Sequence, residues 1–221
     1  YEVARAIGRP YSLAYALHHN ALLAIYRGRF EEAIQWSDHQ AEVAEINDYP
    51  VWGTLALVNR GVALTCLGET EDGLAMSEAA VDLYHGLTAP PVFWPQLLAL
   101  RALAHGLAGK PETGLELIEE AITIVGPDDL NSAELLVLKG DLLSQLGNSE
   151  GAMEKFSLAA RLADAGGLNL FALQALTRLV RLQRQQAVSP DRSDELAALY
   201  GRFTEGLGEQ DLVAARQLLD G

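Results

Sequence analysis

The chain has 221 residues, 49% of them apolar and 7% aromatic, with a formal net charge of −14 and an isoelectric point near 4.7. That balance lacks the basic stripe needed to neutralise phosphates, which argues against nucleic acid and against anionic membranes as partners of this region. A lone Cys66 rules out an internal disulfide and suits a reducing, cytoplasmic setting; no apolar run reaches the ~18–20 residues that span a bilayer, residues 97–107 being interrupted by Arg101 and His105. The charge is uneven, with 23 acids against 10 bases in residues 1–167 and 7 against 6 in residues 168–221.

Taken in order, Tyr1-Glu-Val-Ala-Arg-Ala-Ile7 reads as the end of a second helix whose first helix is missing. The chain does not begin with Met and reads as a piece of something longer. Val3, Ala4 and Ile7 are expected to pack partly on Leu13, Ala14 and Leu17. Solenoid ends need polar caps, and this end offers none, so residues 1–30 are expected to fray or to self-associate end to end. From residue 10 onward one motif recurs: an apolar helix, a turn glycine, a polar residue, a second helix. The turn residues are Gly28, Gly68, Gly109 and Gly147, with a degenerate copy at Ala187, so the period is about 40 residues. Seven residues before each turn stands a small or β-branched residue: Ala21, Gly61, Ala102, Gly140, Val180. Five after the first four come Ala33, Gly73, Gly114 and Ala152, and twelve after come Gln40, Ala80, Ala121 and Ala159. Small residues at matched offsets let paired helices approach closely.

The units fall near residues 10–48, 49–88, 90–126, 130–166 and 167–206. Breakers separate them: Tyr49-Pro50, Ala89-Pro90-Pro91 with Pro95, and Gly126-Pro127. The fourth unit opens on a capping-box pattern, Asn131-Ser-Ala-Glu134. Its first helix carries Leu135, Leu136, Leu138, Leu142, Leu143 and Leu146 at helical spacing, and its second carries Ala152, Phe156, Ala159 and Leu162 before stopping at Gly166-Gly167. Residues 209–221 read as a capping helix, with Arg216, Gln217 and Asp220 for a polar outer face.

These offsets resemble the tetratricopeptide repeat, whose usual unit is shorter; Gly140, Leu143, Gly147, Ala152, Phe156 and Ala159 are the closest copy. A narrower resemblance runs through Pro10-Tyr-Ser-Leu-Ala-Tyr-Ala-Leu17, Ala133-Glu-Leu-Leu-Val-Leu-Lys-Gly140, Tyr200-Gly-Arg-Phe-Thr-Glu-Gly206 and Asp211-Leu-Val-Ala-Ala-Arg-Gln-Leu-Leu-Asp220. These look like the C-terminal repeat region of bacterial multidomain signalling proteins, in which an adenylate/guanylate cyclase-like or transcriptional-regulator domain accompanies a STAND-type ATPase. The expected fold is all-α: one domain over residues 1–221, a right-handed superhelix of stacked antiparallel helix pairs. The resemblance implies a concave face, lined by first helices, that takes peptides. By offset that face comprises Tyr15, His18, Leu22 and Tyr26; Leu55, Val58, Val62 and Cys66; Glu134, Asp141 and Gln145; and Gln174, Arg181 and Arg184.

Signals for chemistry are weak. Ala104-His-Gly-Leu-Ala-Gly-Lys-Pro111 fails as a phosphate loop at both ends, and Gly206-Leu-Gly208 lacks a third glycine and a preceding strand. No two of His18, His19, His39, His85 and His105 share the i,i+4 spacing of a helical metal site. Acid pairs such as Glu31-Glu32, Glu119-Glu120 and Asp128-Asp129 do not face a common point, and Cys66 has no basic neighbour in sequence. No catalytic residue, metal or cofactor is expected. Arg60, Arg101 and Lys139, eight residues before three turns, stack into an in-register row, read as snorkelling stems whose charge reaches solvent or a neighbouring acid. Arg178, Arg181 and Arg184 form a basic stripe, either a dock for an acidic segment or anion, or a solvated face paired with nearby acids. The expected function is a non-catalytic protein-interaction or regulatory module of a larger cytoplasmic bacterial signalling protein, binding a peptide, a partner protein or its own effector domains. The alternative is a small-ligand sensor of a STAND-type ATPase or transcriptional regulator.

Overall fold

The computed structural model describes residues 1–85, 93–126, 129, 132–188 and 191–221. The breakers Ala89, Pro90, Pro91 and Pro127, the acid Asp128 and the capping residue Asn131 lie outside the described residues, as does the His85 side chain. Among the described residues all regular structure is helical: α1 (Glu2–Ile7), α2 (Pro10–Tyr26), α3 (Phe30–Ile46), α4 (Pro50–Cys66), α5 (Thr70–His85), α6 (Trp94–Leu107), α7 (Pro111–Val125), α8 (Ser132–Gln145), α9 (Ser149–Ala165), α10 (Asn169–Gln185), α11 (Ser193–Tyr200) and α12 (Gln210–Asp220). They form two compact units, Tyr1–Lys110 and Pro111–Gly221.

The turns explain the periodicity. Gly28, Gly68, Gly109, Gly147 and Ala187 all have positive φ, from 54° at Ala187 to 96° at Gly68. In each, the next residue's N–H donates five residues back, from Arg29 to Ala24, Glu69 to Leu64, Lys110 to His105, Asn148 to Leu143 and Val188 to Gln183, at 2.8–3.0 Å. This left-handed closure satisfies a helix's last carbonyls, and glycine adopts it at least cost. Links between hairpins use the same device: Asp48 and Gly167 have φ of 52° and 69°, with Tyr49 and Leu168 donating to Ala44 and Ala163. Pro10 and Pro50 then stand at the first helical positions of α2 and α4, where a missing N–H costs nothing.

The small residues do what their spacing predicts. A Cβ on Gly61 would sit 2.6 Å from the Gly73 carbonyl oxygen and 2.8 Å from the Ser77 nitrogen, so the backbones of α4 and α5 touch there. A Cβ on Gly140 would run into the ring of the buried Phe156. Ala21, Ala33, Ala80, Ala102, Ala121, Ala152, Ala159 and Val180 are buried. Gln40, at an alanine offset, is also buried; its amide donates to the Trp52 carbonyl at 2.7 Å, fastening α3 to α4.

Within each unit the first helices of successive hairpins touch one another, α2 with α4 and α4 with α6, and α8 with α10 and α10 with α12. We call these the inner rows. The second helices pack behind them, α3 and α5 in one unit and α7, α9 and α11 in the other. The expected seating of the N-terminal segment is corrected: Val3 and Ile7 are 74% and 57% exposed, and α1 buries no residue. Six residues ending at the left-handed Gly8 are too short to bury a face. Tyr1 instead places its ring 5.1 Å from Trp36 and 6.1 Å from His39 on α3.

Candidate interaction face

The inner row of the first unit is filled rather than hollow. Leu22, Leu55, Val58 and Val62 are buried among Leu17, Ile25, Trp52 and Leu97, and His18 is 1% exposed. Tyr26 is half-buried against the same core, and Cys66 is partly buried, where desolvation pushes its thiol up to about 12. Five of the expected lining residues are therefore core; three adjacent first helices converge closely enough that one helix's side chains reach the next but one. His18 shows this. Its Nδ1 accepts from Asn59 Nδ2 on α4 at 3.0 Å, and its Nε2 lies 3.4 Å from Gln96 Oε1 on α6. The two contacts together select the neutral tautomer with the proton on Nε2. Burial, reinforced by His19 and opposed by Gln96, lowers its pKa to about 4.

Rings cover this core. Trp52, itself buried, makes contacts of 5.5–5.8 Å with Tyr11, Tyr15, His18 and Phe93, and Tyr15 stacks on His19 at 4.2 Å. Tyr11 and Tyr15 remain about half exposed and His19 is exposed, so the surface offered here is a tyrosine edge over a tryptophan. Sequence reasoning found Tyr15 but missed Tyr11, Trp52 and Phe93. The signal was present: Trp52 and Phe93 both stand sixteen residues before a turn glycine, and Phe171 stands sixteen before Ala187.

The second unit's inner row is polar. Arg178 on α10 donates through Nε to both carboxylate oxygens of Asp141 on α8 at 2.8 Å, and Gln174 donates to Asp211 on α12 at 2.7 Å. Burial and the nearby Asp211 push the Asp141 carboxyl up, and Arg178 and Arg181 offset this only in part. Glu134 is half-buried, while Gln145 and Arg181 are exposed. The expected basic stripe is thus divided. Arg178 is committed to Asp141. Arg184 donates to Asp191 at 2.9 Å, to the Leu218 carbonyl at 2.6 Å and to Ser193 at 3.0 Å, clasping α12 to the chain before α11. Only Arg181 of the three makes no hydrogen bond or ion pair among the described residues.

No family model and no curated protein matches the chain. Solved structures do. A thermophilic TPR protein of Thermus thermophilus superposes with a TM-score of 0.61 at 15% identity, over 94% of this chain and 97% of that one. The fold is that of tetratricopeptide repeats. The MamA RS-1 ArsTM double mutant aligns at a TM-score of 0.47 and 15% identity, covering 93% of this chain and 94% of its own. The TPR2AB-domain:pHSP90 complex of yeast Sti1 aligns at 0.38 and 15%, covering 95% and 98%.

In this tetratricopeptide stack the in-register cations are spent on cohesion. Arg60 bonds Asp38 at 2.8 Å, Arg101 bonds both Glu78 oxygens at 2.7 and 2.8 Å, and Lys139 bonds Glu119 at 2.9 Å. Each acid lies on the preceding second helix, ten residues after its turn glycine, so the pair repeats with the period at three successive junctions. His105 adds a bond to Glu78 at 3.2 Å. Burial raises the Glu78 carboxyl, but the Arg101 bond and charge, with His105, outweigh it and hold Glu78 below the usual range. Among the described residues no group of three or more His, Cys, Asp or Glu could hold a metal, and no helix is long and apolar enough to cross a membrane.

Proposed function

We propose that this chain is a non-catalytic protein-interaction module whose receptive surface is the inner row of each unit. The observation that carries this reading is the division of labour among side chains. Second-helix acids and first-helix cations pair off at the junctions, whereas Gln145 and Arg181 stand exposed on first helices outside those pairs, and Tyr11 and Tyr15 stay about half exposed over Trp52. Arg181 beside Asp141 and Gln174 suits an extended peptide with alternating charge, and exposed tyrosine edges suit an apolar or aromatic side chain. Selection from a random peptide display library tests it. Enriched peptides should lose binding to an Arg181→Glu or Tyr15→Ala variant; binding indifferent to both, and lost instead on outer-helix substitution, overturns it.

The wider reading belongs to the same proposal: one repeat domain over residues 1–221, acting as a regulatory part of a larger cytoplasmic bacterial signalling protein and docking a partner or its own cyclase-like, ATPase or regulator domains. Its support is the resemblance in residues 10–17, 133–140, 200–206 and 211–220, and the coding sequence upstream of Tyr1 tests it. The sensor reading is favoured by one feature, the aromatic group Tyr11, Tyr15, Trp52 and Phe93. A small aromatic ligand there would raise the unfolding temperature with concentration. Val3, Ile7 and Leu23, exposed within residues 1–30, favour end-to-end self-association; sedimentation at rising concentration would show it, and a Val3→Glu, Ile7→Glu variant should stay monomeric.

A further inference from the structure

We infer that His18 is an acid-sensitive pin that holds the three inner helices of the first unit together, so that its protonation opens this face and exposes the aromatic floor beneath. The inference does not depend on what the face binds.

His18 hydrogen-bonds both other first helices of its unit, through Asn59 on α4 and Gln96 on α6. It also contacts Trp52 at 5.8 Å and Phe93 at 5.7 Å. The Asn59 bond requires a neutral ring, because Nδ1 must accept from the amide, whereas the Nε2–H bond to Gln96 survives protonation. A second proton on Nδ1 would face that N–H donor. Turning the Asn59 amide over would offer the otherwise unpartnered Asn59 Oδ1 to the new proton, but it would leave the charge uncompensated.

Among the described residues the surroundings supply no counter-ion. α2, α4 and α6 contain no Asp or Glu. On α2 the neighbouring titratable group is His19, itself a potential cation, with Tyr15 stacked on it. The only charged side chain of α4 is Arg60, turned to Asp38 on α3. Those of α6 are Arg101 and His105, both turned to Glu78 on α5. The remaining acids of α3 and α5 are exposed, apart from Glu32, which is engaged by Arg29 and Trp36. A buried imidazolium here is therefore unpaired, and an unpaired buried charge is relieved by admitting water. Protonation breaks the Asn59 contact, so water enters beside the ring where α2 meets α4, and α2 parts from the row with its Gln96 contact to α6 opened to solvent. What then meets solvent is Trp52, 3% exposed in the closed state, and Phe93.

The sign follows from linkage. With a ring pKa near 4 when closed and near 6.5 when open, the closed form is fully favoured above pH 6.5 and loses ground as pH falls from 6.5 toward 4. Histidine-ring NMR and hydrogen-exchange protection factors, measured from pH 8 to pH 4.5 on the whole chain, test this. Protection in α2 and α6 should fall roughly 30-fold by pH 5, while His18 shows no ordinary titration in the closed form. His18→Gln should be nearly flat over that range. Asn59→Asp supplies the missing counter-charge and should keep α2 and α6 protected at pH 5. If His18 titrates near 6.5 with α2 and α6 unchanged, or if His18→Gln retains the full pH dependence, the pin does not exist. Should His18→Gln fail to fold, the wild-type ring titration and Asn59→Asp decide.

Discussion

Arg178 and Asp141 bind across two first helices, both carboxylate oxygens lying 2.8 Å from Nε. The pair joins α10 to α8 in a setting where burial alone would favour a neutral acid. Removing one partner should therefore cost more than removing both. Arg178→Gln is expected to destabilise by about 1–3 kcal/mol, and Arg178→Gln with Asp141→Asn by less. Urea midpoints of the double-mutant cycle check the order; a double variant worse than the single one contradicts it.

Ala187 holds the left-handed turn position that glycine holds in the four preceding hairpins. An L-residue there carries a strain of roughly 1–2 kcal/mol, part of which glycine returns as unfolded-state entropy. Ala187→Gly should raise stability by about 0.5–1 kcal/mol. Gly109→Ala, where a Cβ meets nothing within 4 Å, should lower it by about 1–2 kcal/mol through the backbone alone. Thermal unfolding of the two variants gives the comparison.

Gly61 and Gly140 occupy the same offset but meet different obstacles. A methyl at Gly61 collides with the backbone of α5, and a methyl at Gly140 collides with the Phe156 ring. A ring can turn or shift; a helix backbone cannot do so without parting the hairpin. Gly140→Ala should cost about 1–3 kcal/mol, and Gly61→Ala more. Equal losses would mean the α4–α5 contact is looser than its spacing indicates.

Glu78 titrates below the ordinary carboxylate range because Arg101 and His105 favour its charged form. Its contribution is present above the unfolded value near 4.5 and is lost as pH falls through the lower folded value. Glu78→Gln should flatten the stability curve below about pH 4.5 and leave the region above pH 6 nearly parallel to wild type. This window opens only below about pH 4.5, whereas that of His18 opens below about pH 6.5, so the two substitutions separate between about pH 6.5 and 4.5 in one pH series.

The turns were legible because their requirement is local. Glycine takes a left-handed position at least cost, so Gly28, Gly68, Gly109 and Gly147 marked the period, and Ala187 was found by spacing. The small residues at Gly61 and Gly140 were legible for a similar reason, since close approach admits few side chains. The interaction face was read less well. Helical offset tells which side of α2 or α4 a residue occupies, and His18, Leu55, Val58 and Val62 are on the side facing their neighbours. Offset does not say how tightly successive first helices converge, and here His18 reaches past α4 to Gln96. Charges were also underread. The sequence left Arg184 open between a docking cation and pairing with nearby acids, without pointing to the Leu218 carbonyl and Asp191 that it bonds. The partners of Arg60, Arg101 and Lys139, by contrast, stand at a fixed ten residues after the turn and could have been found by applying the same period to acids.

The claim that the inner rows are receptive surfaces is tested most directly by amide chemical-shift mapping with a peptide enriched from a random display library. Shifts confined to α8, α10 and α12, centred on Gln145, Gln174 and Arg181, or to the Tyr11 and Tyr15 edge of α2, are the predicted result. Shifts centred on the exposed sides of α3, α5, α7 or α9, with the inner rows unchanged, would contradict it.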